Sequence, residues 1–347
     1  MDTFCVLPWY SKEFRKKSVI PCCIMQQDAD LNLVKTELLN GIQTSACTNC
    51  WTLENNGKKS RRQFENEFLD YKLNRDLELI RQDCINSLQV EPLVYQIVTS
   101  NLCNQACVTC SSSESSKWAE IEKKIGIVPS KLFKINSDSL DINYSTAQRI
   151  SLLGGEPLFD PRTFEILEKL IRCNNIDCHI SIVTNGSINL KQEQLDLLSK
   201  FTDLNICISV DGIGPVFEYM RWPTKWNTLL GNLKQYNTVT KNISVSYTIS
   251  SMNAMYYNET IKWFTNNNLR YNHNVVSFPA WLSLKNMPVE FKDQLSKNKN
   301  FISNYCDLNG EEISLEMIKS QIVNQDQAKK INICNYMPEV ADLLGII

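Results

Sequence analysis

Histidine is almost missing from this chain: of 347 residues only two, His179 and His273, are imidazoles. Cysteine–histidine zinc sites and histidine acid–base catalysis therefore have few candidates. No apolar run approaches the length needed to span a bilayer, so no membrane partner is expected. The opening residues Met1-Asp2-Thr3-Phe4-Cys5 lack the basic and apolar segments of a secretory signal, and a cytoplasmic location is expected. Basic excess is also absent. The net charge of −2 gives no broadly cationic surface, and no nucleic-acid partner is expected. No internal repeat is visible, nor any low-complexity tract beyond a short serine-rich run at 111–116.

What the chain does have is cysteine, fourteen of them. In a reducing compartment such a number points to metal or redox chemistry before disulfides. Three sit in one loop, Cys103-Asn-Gln-Ala-Cys107-Val-Thr-Cys110, directly after an apolar run at 93–100. Three thiolates are one too few to complete a four-iron cluster or a tetrahedral zinc site. A site short of one protein ligand keeps a position open for something else. The competing reading is a zinc knuckle or buried thiols.

The chain divides into residues 1–90, 91–285 and 286–347. The first part holds Cys5, Cys22, Cys23, Cys47 and Cys50, then a polar helical stretch around 63–86. The last part is mostly helical in pattern. In the middle, short β-branched or apolar runs predict strands at 93–100, 149–153, 179–184, 204–210, 243–249 and 274–278. Segments with helical spacing, such as 163–173 and 192–201, lie between them. Such alternation predicts parallel βαβ units and an α/β partial (β/α)6 TIM-like barrel, with the small cysteine-rich unit in front. The active site of a barrel lies at the C-terminal strand ends, where the three-cysteine loop falls. Other polar signals fall there too: Gly154-Gly155-Glu156-Pro157, Thr184-Asn185-Gly186, and Ser209-Val210-Asp211-Gly212. Paired glycines let a backbone approach a ligand closely, and a glutamate can accept hydrogen bonds from an ammonium. Each fragment alone is ordinary turn chemistry; their recurrence at successive strand ends carries the information.

A CxxxCxxC loop after the first strand and a GGEP after the second resemble the radical S-adenosylmethionine superfamily, over about residues 91–280. The resemblance implies that Cys103, Cys107 and Cys110 bind a [4Fe–4S] cluster whose open iron chelates the amino and carboxylate groups of S-adenosylmethionine. It places Gly154, Gly155, Glu156 and Pro157 at the methionyl amine. It places Ser209 and Asp211 at the ribose or carboxylate, with Asn185 also toward the cofactor. Reductive cleavage of S-adenosylmethionine to a 5′-deoxyadenosyl radical, followed by hydrogen abstraction, is the implied chemistry. A reducing partner such as flavodoxin or ferredoxin is implied with it. One departure stands out: the aromatic residue often found before the third cysteine is here Thr109.

The N-terminal cysteines resemble the twitch or SPASM-type domain, which binds auxiliary [4Fe–4S] clusters and usually follows the barrel. Cys47-Thr-Asn-Cys50-Trp-Thr-Leu-Glu54-Asn-Asn-Gly57-Lys-Lys-Ser60-Arg61 is similar to the CxxCWxxExxGxxSxR stretch of radical enzymes with this domain in front, and Glu218-Tyr219-Met220-Arg221 matches a pattern of the same group. Four ligands suit the single-cluster twitch type: Cys5, Cys47, Cys50, and either Cys22, in the usual proline–cysteine position, or Cys23. A structural zinc ribbon is the other reading of these residues. Cys84, Cys173, Cys178, Cys207, Cys306 and Cys334 are expected as small core residues, and both histidines as structural. Arg221 is the polar residue assigned to substrate contact, with a salt bridge inside the barrel as its competing role. The expected activity is that of a radical oxidoreductase or modifying enzyme acting on a peptide or protein side chain. A small-molecule dehydrogenase or rearrangement enzyme for an alcohol, sugar or nucleotide is the alternative, and a zinc-ribbon binding protein with an inactive barrel a further one.

Overall fold

One sheet of eight strands organises the protein, in the order β2-β1-β3-β4-β5-β6-β7-β8. The computed structural model describes residues 2–16, 18–87, 90–297, 302 and 310–346. The strands are β1 (Ser11–Phe14), β2 (Val19–Ile20), β3 (Val94–Val98), β4 (Arg149–Leu153), β5 (His179–Thr184), β6 (Leu204–Ser209), β7 (Ile243–Ile249) and β8 (Arg270–Val275). From β3 to β8 every neighbouring pair is parallel and in chain order, with helices at the crossovers. This is the α/β partial-barrel order of six strands.

Alternation along each strand explains its two faces. Ile97, Ile150, Leu152, Ile180, Ile182, Ile206, Ile208 and Val245 are buried in one core with the helices. The opposite face is polar and half-buried. Gln96, Ser151, Ser181 and Asn205 stand side by side in register across β3 to β6, and Ser209 pairs with Ser246. The helix Pro161–Arg172 shows how the outer layer forms. Pro161 opens it, Asp160 caps it by accepting from Arg162 N, and Thr163, Ile166, Leu167 and Leu170 form its buried stripe. Burying each such apolar side chain contributes roughly 1.5–3 kcal/mol.

The first ninety residues have their own apolar cluster, with Phe4, Trp9, Leu38, Trp51, Leu69 and Ile80 in it. They are nevertheless stitched into the barrel, because β1 pairs in parallel with β3. The helix Arg61–Leu73 lies against the polar inner face: Glu65 pairs with Arg149, Phe68 packs on His179, and Lys72 reaches Asp203 at 2.7 Å. The C-terminal helix Leu315–Lys329 packs against the helix Ser116–Lys124, which follows the cysteine loop.

Three expectations shift. The polar stretch at 63–86 is two helices, Arg61–Leu73 and Leu77–Asn86; Asn74 turns left-handed at φ 47° and Asp76 caps the second. The last strand is Arg270–Val275, four residues earlier than expected, so His273 lies within it instead of before it. Cys173 is exposed and Cys207 half-buried on the inner face, whereas Cys84 and Cys178 are core residues. Cys306 lies outside the described residues. Every described cysteine is free. Among the described residues no helix is long and apolar enough to cross a membrane.

Candidate active site

The three-cysteine loop leaves β3 at the C-terminal edge of the sheet and is held from four sides. Gly155 N donates to Ser100 O and Glu156 N to Leu102 O, both at 2.8 Å. Ala106 N and Val108 N donate to Trp222 O and Met220 O at 2.8 and 2.9 Å. Ser116 Oγ bonds the Cys103 backbone at 3.0 Å, and Trp118 Nε1 donates to Cys107 O at 2.7 Å. Asn104 Nδ2 reaches Ser187 Oγ at 2.8 Å and Gln105 Nε2 reaches Thr224 Oγ1 at 2.6 Å. A loop this densely bonded presents its side chains on a rigid frame.

The paired glycines pack on this frame. A Cβ on Gly155 would stand 2.4 Å from Leu102 O, and one on Gly154, whose φ is +140°, 2.6 Å from Ser100 O. Glycine is required here because two backbones meet. Glu156 is fully buried and its carboxylate accepts from Thr184 Oγ1 at 2.7 Å, Leu158 N at 2.9 Å and Asn185 N at 2.6 Å. Burial pushes its pKa up to about 7, against these donors. Pro157 starts the short turn that follows.

Donors surround two of the sulfurs. Cys103 Sγ accepts from Gln105 N at 3.5 Å and faces Asn185 Nδ2 at 3.8 Å. Arg221 Nη1 lies 3.7 Å from Cys107 Sγ, and Arg221 Nε pairs with Asp211 Oδ2 at 2.6 Å. Asp211 is fully buried, and its other oxygen accepts from Thr248 N at 3.0 Å. Burial opposes the Arg221 charge, yet Asp211 and Cys107 hold its pKa above the ordinary arginine value. Burial raises all three thiols, Cys103 to about 12 with Cys107 adding to the rise. A ligand that needs thiolates must therefore displace protons. Ser209, at the end of β6, faces the polar inner side.

Lys329 approaches the same loop from the C-terminal helix. Its ammonium is buried over the Trp118 ring at 4.6 Å, and Gln325 Oε1 lies 3.3 Å away. Burial holds its pKa down to about 8, while Cys107, Asp326 and Cys110 pull it up. Beside it a cavity of about 740 Å³ opens between the two helices, with Cys110, Trp118, Gln321, Asn324 and Gln325 in its wall. Sequence reasoning missed Lys329 and this cavity. Only a Lys in the last turn of a polar helix marks it, and that pattern is common on any surface.

The N-terminal set divides cleanly. Cys5, Cys22, Cys47 and Cys50 line one small pocket with Arg61 and Arg62. Cys23 is not in its wall, and Arg61 Nη1 contacts its sulfur. The hydrogen bond with Cys22 and then Arg61 lower the Cys23 thiol, while Cys22 is raised. Glu54 pairs with Arg62 at 2.8 Å, both buried, and Ser60 caps the helix Arg61–Leu73 while its hydroxyl donates to Glu54. The Trp51-x-x-Glu54-x-x-Gly57-x-x-Ser60 spacing thus folds the pocket's wall, with Gly57 turning at φ +68°.

The donor set suits a cluster. The candidate ligands are all cysteines, whose thiolates hold iron–sulfur clusters. N–H and guanidinium donors at the sulfurs are the contacts that stabilise thiolates on such a cluster.

Among solved structures, the chain is similar to anSMEcpe with bound AdoMet, at 18% identity and a TM-score of 0.46, covering 62% of each chain. It is similar to Streptococcus suis SuiB bound to S-adenosylmethionine, at 13% identity and a TM-score of 0.40, covering 81% of this chain and 64% of that one. TYW1 with a lysine–pyruvate adduct follows at 14% identity and a TM-score of 0.33, covering 60% of this chain and 70% of that one. The chain thus spans 62% of the length of the first of these. No curated protein matches it. Residues 97–263 match the family model described as the Radical SAM superfamily. That segment begins in β3, carries the cysteine loop and the Gly154–Gly155 turn, and reaches past β7.

Proposed function

We propose that Cys103, Cys107 and Cys110 hold a [4Fe–4S] cluster with one iron left to S-adenosylmethionine, and that the protein abstracts hydrogen from a peptide or protein side chain. The observation that carries this reading is that the three-cysteine loop, the Gly154–Gly155 turn and the Asp211–Arg221 pair lie together at one end of a parallel sheet. The chemistry such a cluster supplies is one-electron cleavage of S-adenosylmethionine to methionine and a 5′-deoxyadenosyl radical. The chain's residues do the positioning. Gln105 N and Asn185 support the Cys103 sulfur, and Arg221 supports that of Cys107. Gly154, Gly155, Glu156 and Pro157 form the edge assigned to the methionyl amine. Ser209 and Asp211 serve the ribose or carboxylate, Asp211 through the guanidinium it fixes.

Cys5, Cys22, Cys47 and Cys50 are proposed as the ligands of an auxiliary [4Fe–4S] cluster of the twitch or SPASM type. Their shared pocket supports Cys22 over Cys23. The domain limits 1–90, 91–285 and 286–347 are proposed with it, as are a cytoplasmic location and an electron donor of the flavodoxin or ferredoxin class. A peptide substrate is supported by the cavity beside Cys110, whose amide side chains match the backbone groups of a peptide. The hydroxyl- and amide-lined inner face favours the second reading, a small polar molecule such as an alcohol, sugar or nucleotide.

Anaerobic reconstitution tests both sites: about eight irons per chain supports two clusters and about four supports one. Zinc without iron overturns the proposal in favour of a zinc-ribbon protein. Formation of 5′-deoxyadenosine, lost on Cys103→Ala, is the catalytic counterpart. Deuterium carried into 5′-deoxyadenosine from a labelled peptide, and not from labelled sugars or alcohols, supports the peptide reading; the reverse overturns it.

A further inference from the structure

Among the described residues, Lys329 is a cation without an ion-pair partner. It is 5% exposed, and among the described residues no carboxylate lies within ion-pair distance of it. Asp326, one turn earlier, is already engaged: its oxygens accept from Tyr219 Oη at 2.9 Å and Ile333 N at 2.7 Å. Glu122 accepts from Ser112 N at 2.9 Å. Among the described residues the ammonium therefore has only the Gln325 amide and the Trp118 ring. Leaving a buried charge so poorly matched is costly, and folding normally avoids it.

The place it occupies suggests what balances it. Trp118 donates to Cys107 O, and Ala328 and Cys110 both pack against the cluster of Ala106, Trp118 and Ile121. Lys330, left-handed at φ 58°, ends the helix there. The helix thus delivers one unpaired cation behind the loop that carries the three thiols. We propose that Lys329 is a fixed counter-charge for the electron taken up at the three-cysteine site, and so raises the potential at which that site is reduced. This rests on the cluster reading above. The balance is simple: one electron enters from an external donor of the flavodoxin or ferredoxin class, the cluster gains one negative charge, and no proton moves. A nearby cation favours the more negative state, and net charge is among the factors that set cluster potentials.

The test compares wild type with Lys329→Met, Lys329→Gln and Lys329→Arg, each reconstituted anaerobically. Iron per chain is counted, and reduction is followed by electron paramagnetic resonance in a dithionite titration. The neutral variants are expected to show about a tenfold lower reduced-to-oxidised ratio at a given potential, a shift of about 59 mV toward more negative values for one electron. Lys329→Arg restores the wild-type value. A cation–π contact with Trp118 or a favourable charge at a helix C-terminus moves stability but not a potential. Loaded neutral variants with an unmoved potential overturn the Lys329 proposal alone. Wild-type protein that takes up no iron overturns the cluster reading and this one together. Loading by Lys329→Arg but by neither neutral variant supports the counter-charge, and failure of all three to load overturns it.

Discussion

Gly155→Ala separates two uses of a paired glycine. If the glycines exist to admit a ligand, alanine leaves the ligand-free protein as stable as before and weakens only cofactor binding. The geometry here predicts otherwise. The new methyl would lie 2.4 Å from Leu102 O, 2.7 Å from Leu102 C and 2.8 Å from Asn101 C, all backbone atoms. Ordinary contact begins near 3.4 Å, so the two segments must part by about an ångström. That separation breaks the bonds Gly155 N to Ser100 O and Glu156 N to Leu102 O. Two backbone bonds at about 1 kcal/mol each, plus displacement of packed backbone at about 1–2 kcal/mol, give a loss of about 3–4 kcal/mol. Leu102 precedes Cys103, so iron uptake falls as well. Urea unfolding of the metal-free protein measures the first effect and iron per chain the second. Gly231→Ala is the control: it lies within the helix Trp226–Tyr236 with nothing within 4 Å of its Cβ, and should stabilise by about 0.5–1 kcal/mol. A metal-free Gly155→Ala protein within about 0.5 kcal/mol of wild type would refute the packing argument.

Three further predictions concern the N-terminal unit and its contacts. Glu54→Ala strands the buried Arg62 guanidinium and should cost about 3–5 kcal/mol in urea unfolding, while Glu54→Leu with Arg62→Met costs less than Glu54→Ala alone. Lys72 and His179 hold the Asp203 carboxyl below its ordinary pKa despite partial burial. Its stabilisation is therefore present above the ordinary carboxylate range and disappears as pH falls through the lowered value. Asp203→Asn should lose about 1 kcal/mol at pH 7 and flatten the acid limb of the stability profile, and an unchanged limb would sink the assignment. Cys22→Ser should lower reconstituted iron by about four per chain whereas Cys23→Ser leaves it unchanged; equal losses would mean that both sulfurs matter.

The sequence made β4, β5 and β7 legible to the residue, because their apolar positions alternate with small polar ones between clear turns. It misled at β8. Arg270-Tyr-Asn-His-Asn-Val275 is an edge strand with most of its side chains exposed, so it carries little apolar signal. The apolar residues just after it drew the expected strand forward, although only Val276 N still bonds to Ile249 O there. The site was legible where residues are close in the chain, as in the cysteine loop and the Gly154–Gly155 turn. Partners that meet through tertiary packing were not. Nothing local says that Asp211 faces Arg221, that the Gly155 Cβ position is filled by Asn101 and Leu102, or that Lys329 arrives at a loop more than two hundred residues earlier in the chain.

The pairing of β1 with β3 has a practical consequence for anyone wishing to handle the barrel alone. Four residue pairs join these strands, from Ser11 with Val94 to Phe14 with Ile97. A truncated protein starting near residue 91 would present the bare edge of β3, a row of unpaired amides and carbonyls that recruits strands from other molecules. It would also strip the cover from Arg149 and His179. Such a fragment is expected to precipitate on expression, so the cysteine-rich unit serves as the edge guard of the sheet whatever its cysteines bind.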